Sequence, residues 1–328
     1  MTWKRSIRTA LSVQASWPDR RVRAILTAGL VLRAGLAMAG GTEPAPQPVV
    51  VSDADPAGGG LAAWQAMAAQ ARATQPVWSS PLVTPTGMLE QRFRFDLDTN
   101  RAGNGTATTE LDGGKGVDLI VGENTEVQFA AAPYFLRSGV AGTGRPAKGA
   151  IEPLAGFGDW PFLRIEQRLA SSPESGGNYV VSALLQVQAP SGIVRLSNDA
   201  WTFQPSLAFG KGWGAFDIQG TAGVVLPTSN TAVIGDQVQT NIALQYHVLP
   251  VFWPELEANW TYYANGRRGG LNQVFLTPGL VVGRFVLPDG LKASVGVGYQ
   301  FAVTPGYIAN PLTPAYAHAW LLTTRLNF

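Results

Sequence analysis

Cysteine is absent and only two histidines occur. These absences exclude disulfides, thiolate metal sites and a histidine-rich zinc or iron cluster. Charge is also scarce, at 14% Asp, Glu, Lys and Arg, against about 25% in typical soluble domains. A water-facing surface on a chain of 328 residues needs more. The formal net charge is +2, and no Lys/Arg block lies beyond the first forty residues, so nucleic acid is not an expected partner. Past that N-terminal segment no uncharged apolar run is long enough for a transmembrane helix. If this chain sits in a membrane it does so as a closed barrel, the only other structure that satisfies every backbone polar group in lipid.

What is present fits that alternative. In "LEQRFRFDLD" (89–98) Leu89, Gln91, Phe93, Phe95 and Leu97 alternate with Glu90, Arg92, Arg94, Asp96 and Asp98. Strict period-two alternation makes a strand with one apolar and one charged face. The same pattern recurs in "PFLRIEQRL", "QVQTNIALQYHV", "PELEANWTYY" and "LKASVGVGYQFAV". Candidate strands fall near 89–98, 116–121, 125–134, 161–169, 178–188, 201–209, 214–226, 237–248, 254–263, 273–287, 291–303 and 317–328. Compact links at 122–124, 210–213, 249–252 and 288–290 alternate with long Gly/Pro/Asn-rich ones, including 99–115 and 135–160. Short turns on one side and long loops on the other are the outer-membrane pattern, with the long side extracellular. The expected fold is an all-β, transmembrane, antiparallel up-and-down barrel of about twelve strands.

Residues 1–39 read as a signal peptide, because Arg20, Arg21 and Arg23 precede an apolar stretch that ends in Ala37-Met38-Ala39. Residues 40–85 read as a periplasmic linker rich in Pro, Gly and Ala, with a short helix near 61–72. A mobile tether is preferred there over a plug inside the barrel. Residues 86–328 are assigned to the barrel.

The final strand, "HAWLLTTRLNF", sets Trp320, Leu322, Thr324, Leu326 and Phe328 on one face. Phe328 reads as an assembly signal, which makes the barrel-assembly machinery a partner alongside outer-membrane lipid. Trp201, Trp253, Trp260, Tyr262 and Trp320 lie near strand ends, where interface aromatics gather.

From residue 156 onward the chain resembles the outer-membrane transporters of the meta-pathway phenol-degradation type. The stretches that carry this are "GFGDWPFLRIEQRL", "AFGKGWGAFDIQGTAGVVLP", "FLTPGLVVGRF", "VGVGYQFAVTP" and "RLNF". The resemblance covers about half the chain, and its motifs mark turns and strands rather than chemistry. It implies a bacterial outer-membrane barrel and uptake of small, often aromatic or hydrophobic, compounds.

No catalytic residue, metal ligand or cofactor is expected. His247 and His318 each sit in a strand pattern with no serine motif beside them. "DGGKG" (112–116) lacks phosphate-loop spacing, and "GKGWG" (210–214) reads as a turn. The functional candidates are polar-face charges, expected to line a channel: Arg92, Arg94, Asp96, Arg164, Glu166, Arg168, Asp217, Glu255, Glu257, Lys292 and Arg325. The leading function is passage of an unidentified small-molecule solute. A structural or adhesive barrel with a filled lumen and a barrel-embedded lipid-modifying enzyme are the alternatives.

Overall fold

The computed structural model describes residues 60–103, 105–112, 115–138, 153–304 and 316–328; the expected signal peptide lies outside them. Fifteen strand segments form a single sheet. They are β1 (Arg92–Arg101), β2 (Ala107–Leu111), β3 (Gly116–Gly122), β4 (Thr125–Ala130), β5 (Tyr134–Ser138), β6 (Leu154–Phe157), β7 (Trp160–Ser172) and β8 (Tyr179–Ala189). The chain continues through β9 (Thr202–Trp213), β10 (Phe216–Pro227), β11 (Gln237–Tyr246), β12 (Phe252–Tyr263), β13 (Asn272–Val286), β14 (Lys292–Thr304) and β15 (His318–Asn327).

Every pairing is antiparallel, and β1 pairs with β15 from Arg92–Asn327 to Arg101–His318, which closes the sheet. Closure removes the ladder edges that β1 and β15 would otherwise present to lipid. β2 and β3 are two halves of one stave, as are β4 and β5, and β6 and β7. Twelve antiparallel staves therefore make the barrel. The breaks fall where the ladder is hard to continue. Asp112 adopts φ 62, the second contains Pro133, and the third is Gly158-Asp159. The sequence ranges 99–115 and 135–160, read as loops, thus contain β2, β5 and β6.

The connections place the short side at the periplasm. β9 and β10 meet in a two-residue hairpin, Gly214-Ala215, with Gly214 at φ 59. A primed hairpin turn needs positive φ at its first central residue, which suits glycine. Residues 210–213, expected as part of a turn, are instead the end of β9. On the opposite side α2 (Thr231–Ile234) sits in the loop between β10 and β11.

Exterior and interior are inverted relative to a soluble protein. Phe129, Ile165, Leu185, Phe203, Leu207, Leu244, Leu256, Val297 and Leu322 point outward and are exposed. Such a band around the barrel is far larger than a soluble surface carries, and lipid is the solvent that accommodates it. No described helix is long and apolar enough to cross a membrane, so the strands do the crossing. The chain is an outer-membrane β-barrel.

Residues 60–85 are not a free tether. Helix α1 (Gly60–Ala73) packs Ala68 and Ala71 against Leu89 and Ile120. The Trp64 indole N–H donates to the Ile120 carbonyl at 2.7 Å. From there the chain enters the lumen and returns to β1, so 76–91 is a plug. Composition had favoured disorder because Pro and Gly report local stiffness and freedom, not the partners a lumen supplies. The strand expected from residue 89 begins at Arg92 instead. Leu89 and Gln91 are buried inside, and the Gln75 side chain clamps the Leu89 backbone with bonds of 2.8 and 3.0 Å.

Candidate functional site: the plugged lumen

The plug runs through the lumen without a ladder partner. Its backbone groups are satisfied by charged side chains on two walls. Arg325 donates to the carbonyls of Ser80 and Pro81, and Arg94 to that of Leu82. On the other side the Leu82 N–H donates to Glu255 Oε1 at 3.0 Å. The N–H groups of Val83 and Thr84 donate to the two Glu257 oxygens at 2.8 and 2.6 Å. Arginines on β1 and β15 thus meet plug carbonyls, and carboxylates on β12 meet plug amides. A charge-assisted bond of this kind contributes about 1.5–3 kcal/mol, and leaving the buried amide unpaired costs a similar amount.

Two pits in the wall receive plug side chains. A Cβ on Gly279, Gly296 or Gly298 would stand 2.4, 2.5 or 2.7 Å from a Leu82 methyl, so Leu82 occupies space that these glycines leave open. A Cβ on Gly210 or Gly212 would meet the Trp78 indole at 2.4 or 2.8 Å. Four of these glycines sit in "GKGWG" and "VGVGYQ", within the stretches noted for resemblance. Their role is to make room for the plug. Smaller bonds complete the grip: Thr86 to Gln219 at 2.8 Å, Gln219 to the Ser79 carbonyl at 2.8 Å, and Ser182 to the Gly87 carbonyl at 2.7 Å.

Ten of the eleven expected lining residues are buried inside the barrel, and the exception, Lys292, stands exposed at the periplasmic rim. The structure gathers them into three groups. Arg92 pairs with Asp118 at 2.7 Å and with Glu90, while Arg164 pairs with Glu126 at 3.3 Å. Glu166 lies directly across the ladder from Glu126 in this first group. Arg94 clasps Asp96 through two bonds of 2.9 and 2.8 Å, with Lys115 at 4.0 Å. Glu255, Gln245, Gln219 and Asp217 form a chain with links of 2.5, 3.1 and 3.0 Å. Arg168 stands apart, tying the Ala71 carbonyl and Gln75 of the helix end to the Glu123-Asn124 turn.

Asp118, Glu126, Gln219, Gln245 and Arg284 complete these networks, although pattern reading of the sequence had not singled them out. The first four lie on the inward parity of strands whose faces could have been followed further. Arg284 carried no such signal. It adopts φ 60 at a register shift between Gly283 and Phe285, and its guanidinium stacks over Trp253 at 5.1 Å. A bulge re-aims one side chain in this way.

Trp253 is the one misplaced interface aromatic. It shares parity with Glu255 and Glu257, is 2% exposed, and packs with Leu82, Val281 and the His247 ring at 4.6 Å. Nearness to a strand end suggested the membrane interface, but face decides. Trp201, Trp260, Tyr262 and Trp320 do lie on the outward face at the extracellular ends of their strands, with Trp260 and Tyr262 half-buried. Trp213, Phe216, Tyr246 and Phe252 form the corresponding periplasmic girdle. The Phe328 ring is 37% exposed, and its N–H donates to the Gln91 carbonyl at 3.1 Å.

Open space remains on both sides of the plug. Toward the extracellular end a cavity of about 200 Å³ is bounded by Leu82, Val83, Asp96, Asp98, Gln300 and Tyr316. At the periplasmic end a second, of about 290 Å³, lies between the plug and the barrel rim.

Closed barrel, polar lumen and internal plug define the class of plugged outer-membrane β-barrels. Within that class the chain belongs to the family described as "Putative MetA-pathway of phenol degradation", whose model matches residues 92–310. No curated protein sequence matches it. Among solved structures it is similar to the NanC porin, with 7% identity over 71% of this chain and 98% of that one, at a TM-score of 0.44. It is also similar to an outer-membrane channel from Pseudomonas putida F1, with 13% identity over 77% and 100% of the two chains and a TM-score of 0.43.

Proposed function

We propose that the protein passes small molecules across the outer membrane by a route that opens when plug residues 79–87 release the lumen wall. The observation that carries this reading is the kind of contact that holds the plug. The segment is held by single side chains on opposite walls and by two small apolar seats, with a cavity on either side, and not by a continuous ladder. Such bonds can exchange with water one at a time. The family description names phenol degradation, and the extracellular cavity sets the Tyr316 ring and Leu82 beside polar Gln300 and Asp98. A small aromatic compound with one polar group is therefore the proposed solute class.

A structural barrel with a filled lumen is the competing reading, and the plug itself favours it. Conductance across planar bilayers, with flux of phenol into liposomes, separates the two. Transport predicts intermittent conductance and phenol entry above that of protein-free liposomes. A silent protein with no added phenol flux would leave the structural reading.

A further inference from the structure

The periplasmic cavity has chemistry that conduction alone does not require. Its polar rim carries Arg72 from α1, Arg284 from the β13 bulge, Lys292 from the start of β14, and Glu90. Glu90 is already engaged by Arg92 and by the Ser80 hydroxyl. Arg72 donates to the chain-end oxygen of Phe328 at 3.1 Å, and Arg284 donates to the Trp78 carbonyl. Among the described residues neither Arg284 nor Lys292 has a carboxylate partner within salt-bridge distance. Three cations therefore face one cavity, in which Arg92 engages Glu90 and Arg72 holds the chain-end oxygen of Phe328.

The cavity floor is of a different character. Trp78, Met88 and Leu89 supply buried apolar surface. Gln91, 3% exposed, also lines it, and its side-chain oxygen has no hydrogen-bond partner. A cationic rim over an apolar floor discriminates against both a bare inorganic anion and a neutral hydrocarbon. At about 290 Å³ the space falls near the lower end of small-molecule pockets.

We infer that this periplasmic mouth is a binding site for a small organic carboxylate with an aromatic or short aliphatic body. The carboxylate meets Arg72 and Lys292, and the body lies against Trp78 and Met88. Arg284 is held on Trp253 and adds positive potential without leaving its own contacts. The site is measured at equilibrium in the plugged state, whose Trp78, Met88 and Leu89 form its floor, so it does not require that any solute pass.

Isothermal titration of the purified, folded full-length barrel with sodium benzoate tests it, with benzyl alcohol and sodium phosphate as the two comparison probes. Benzoate is expected to bind about tenfold or more tightly than either. Lys292→Glu, at an exposed rim position, is expected to weaken benzoate about tenfold while heat-modifiable gel mobility stays that of the wild type. Arg72→Gln is a second variant, expected to weaken benzoate in the same direction. Absence of benzoate binding overturns the inference, as does equal affinity for benzyl alcohol or for phosphate. Unchanged benzoate affinity in both variants overturns it as well.

Discussion

The two walls that grip the plug are built differently. The basic wall on β1 and β15 carries part of its own compensation, since Arg94 is clasped by Asp96 whether or not the plug is present. The acidic wall on β12 carries none: among the described residues Glu255 and Glu257 have no cationic partner in salt-bridge range, and they accept from Gln245 and from three plug amides. Buried charge without a partner is costly, so the acidic wall needs the plug more than the basic wall does. The plug is therefore part of the lumen's electrostatic design, and its removal should be felt unequally on the two sides.

The largest effect should come from removing residues 60–88 behind an export signal. Steady conductance is expected to rise on the order of tenfold over the wild type, with a preference for cations set by the bared Glu255 and Glu257. Planar-bilayer recordings with a salt gradient give both numbers. Anion preference would show that the basic wall dominates.

Glu257→Ala sharpens the same contrast at one residue. It leaves the Val83 and Thr84 amides unpaired and should weaken the plug by about 2–4 kcal/mol, read as greater open time. Arg94→Ala should do less, because Leu82 loses one bond while Asp96 keeps Lys115 at 4.0 Å.

Leu207→Arg changes the outside of the barrel instead. It places a charge mid-strand on the lipid face, where Leu207 is 55% exposed. Near the midplane this costs about 2–4 kcal/mol of barrel stability, measured by urea titration and gel mobility. Conductance of the molecules that do fold should be unchanged.

Gly298→Leu fills the seat of Leu82 and should destabilise the plugged state by about 1–3 kcal/mol, again raising open time. The smallest change is expected for Trp201→Ala, which removes an outward ring packed edge-on to Phe162 at 6.1 Å. About 0.5–1.5 kcal/mol of barrel stability is at stake there.

The outward face of this protein was readable from sequence because lipid imposes one rule on every strand. Alternation in 89–98, 237–248 and 291–303 identified staves, and the charged face of 89–98 is found inside while Lys292 stays at the rim. The upper halves of three staves escaped because Asp112, Pro133 and Gly158-Asp159 interrupt the period just where a reader would end a strand. The plug escaped for a deeper reason. Residues 76–88 have no period of their own, and their conformation is fixed by Glu257, Arg325 and Gly298, more than two hundred positions away in two of the three cases. Trp253 shows the same limit on a smaller scale, since position along a strand was read where parity decides.

The most direct test locks the plug to the acidic wall. Thr84 Oγ1 lies 3.5 Å from Asn259 Nδ2, and the chain has no native thiol to interfere. In the Thr84→Cys/Asn259→Cys variant the oxidised protein should be silent in planar bilayers, and reduction should restore intermittent conductance. Identical behaviour in the two states, with the disulfide verified by mass spectrometry, would contradict an opening that depends on release of the plug.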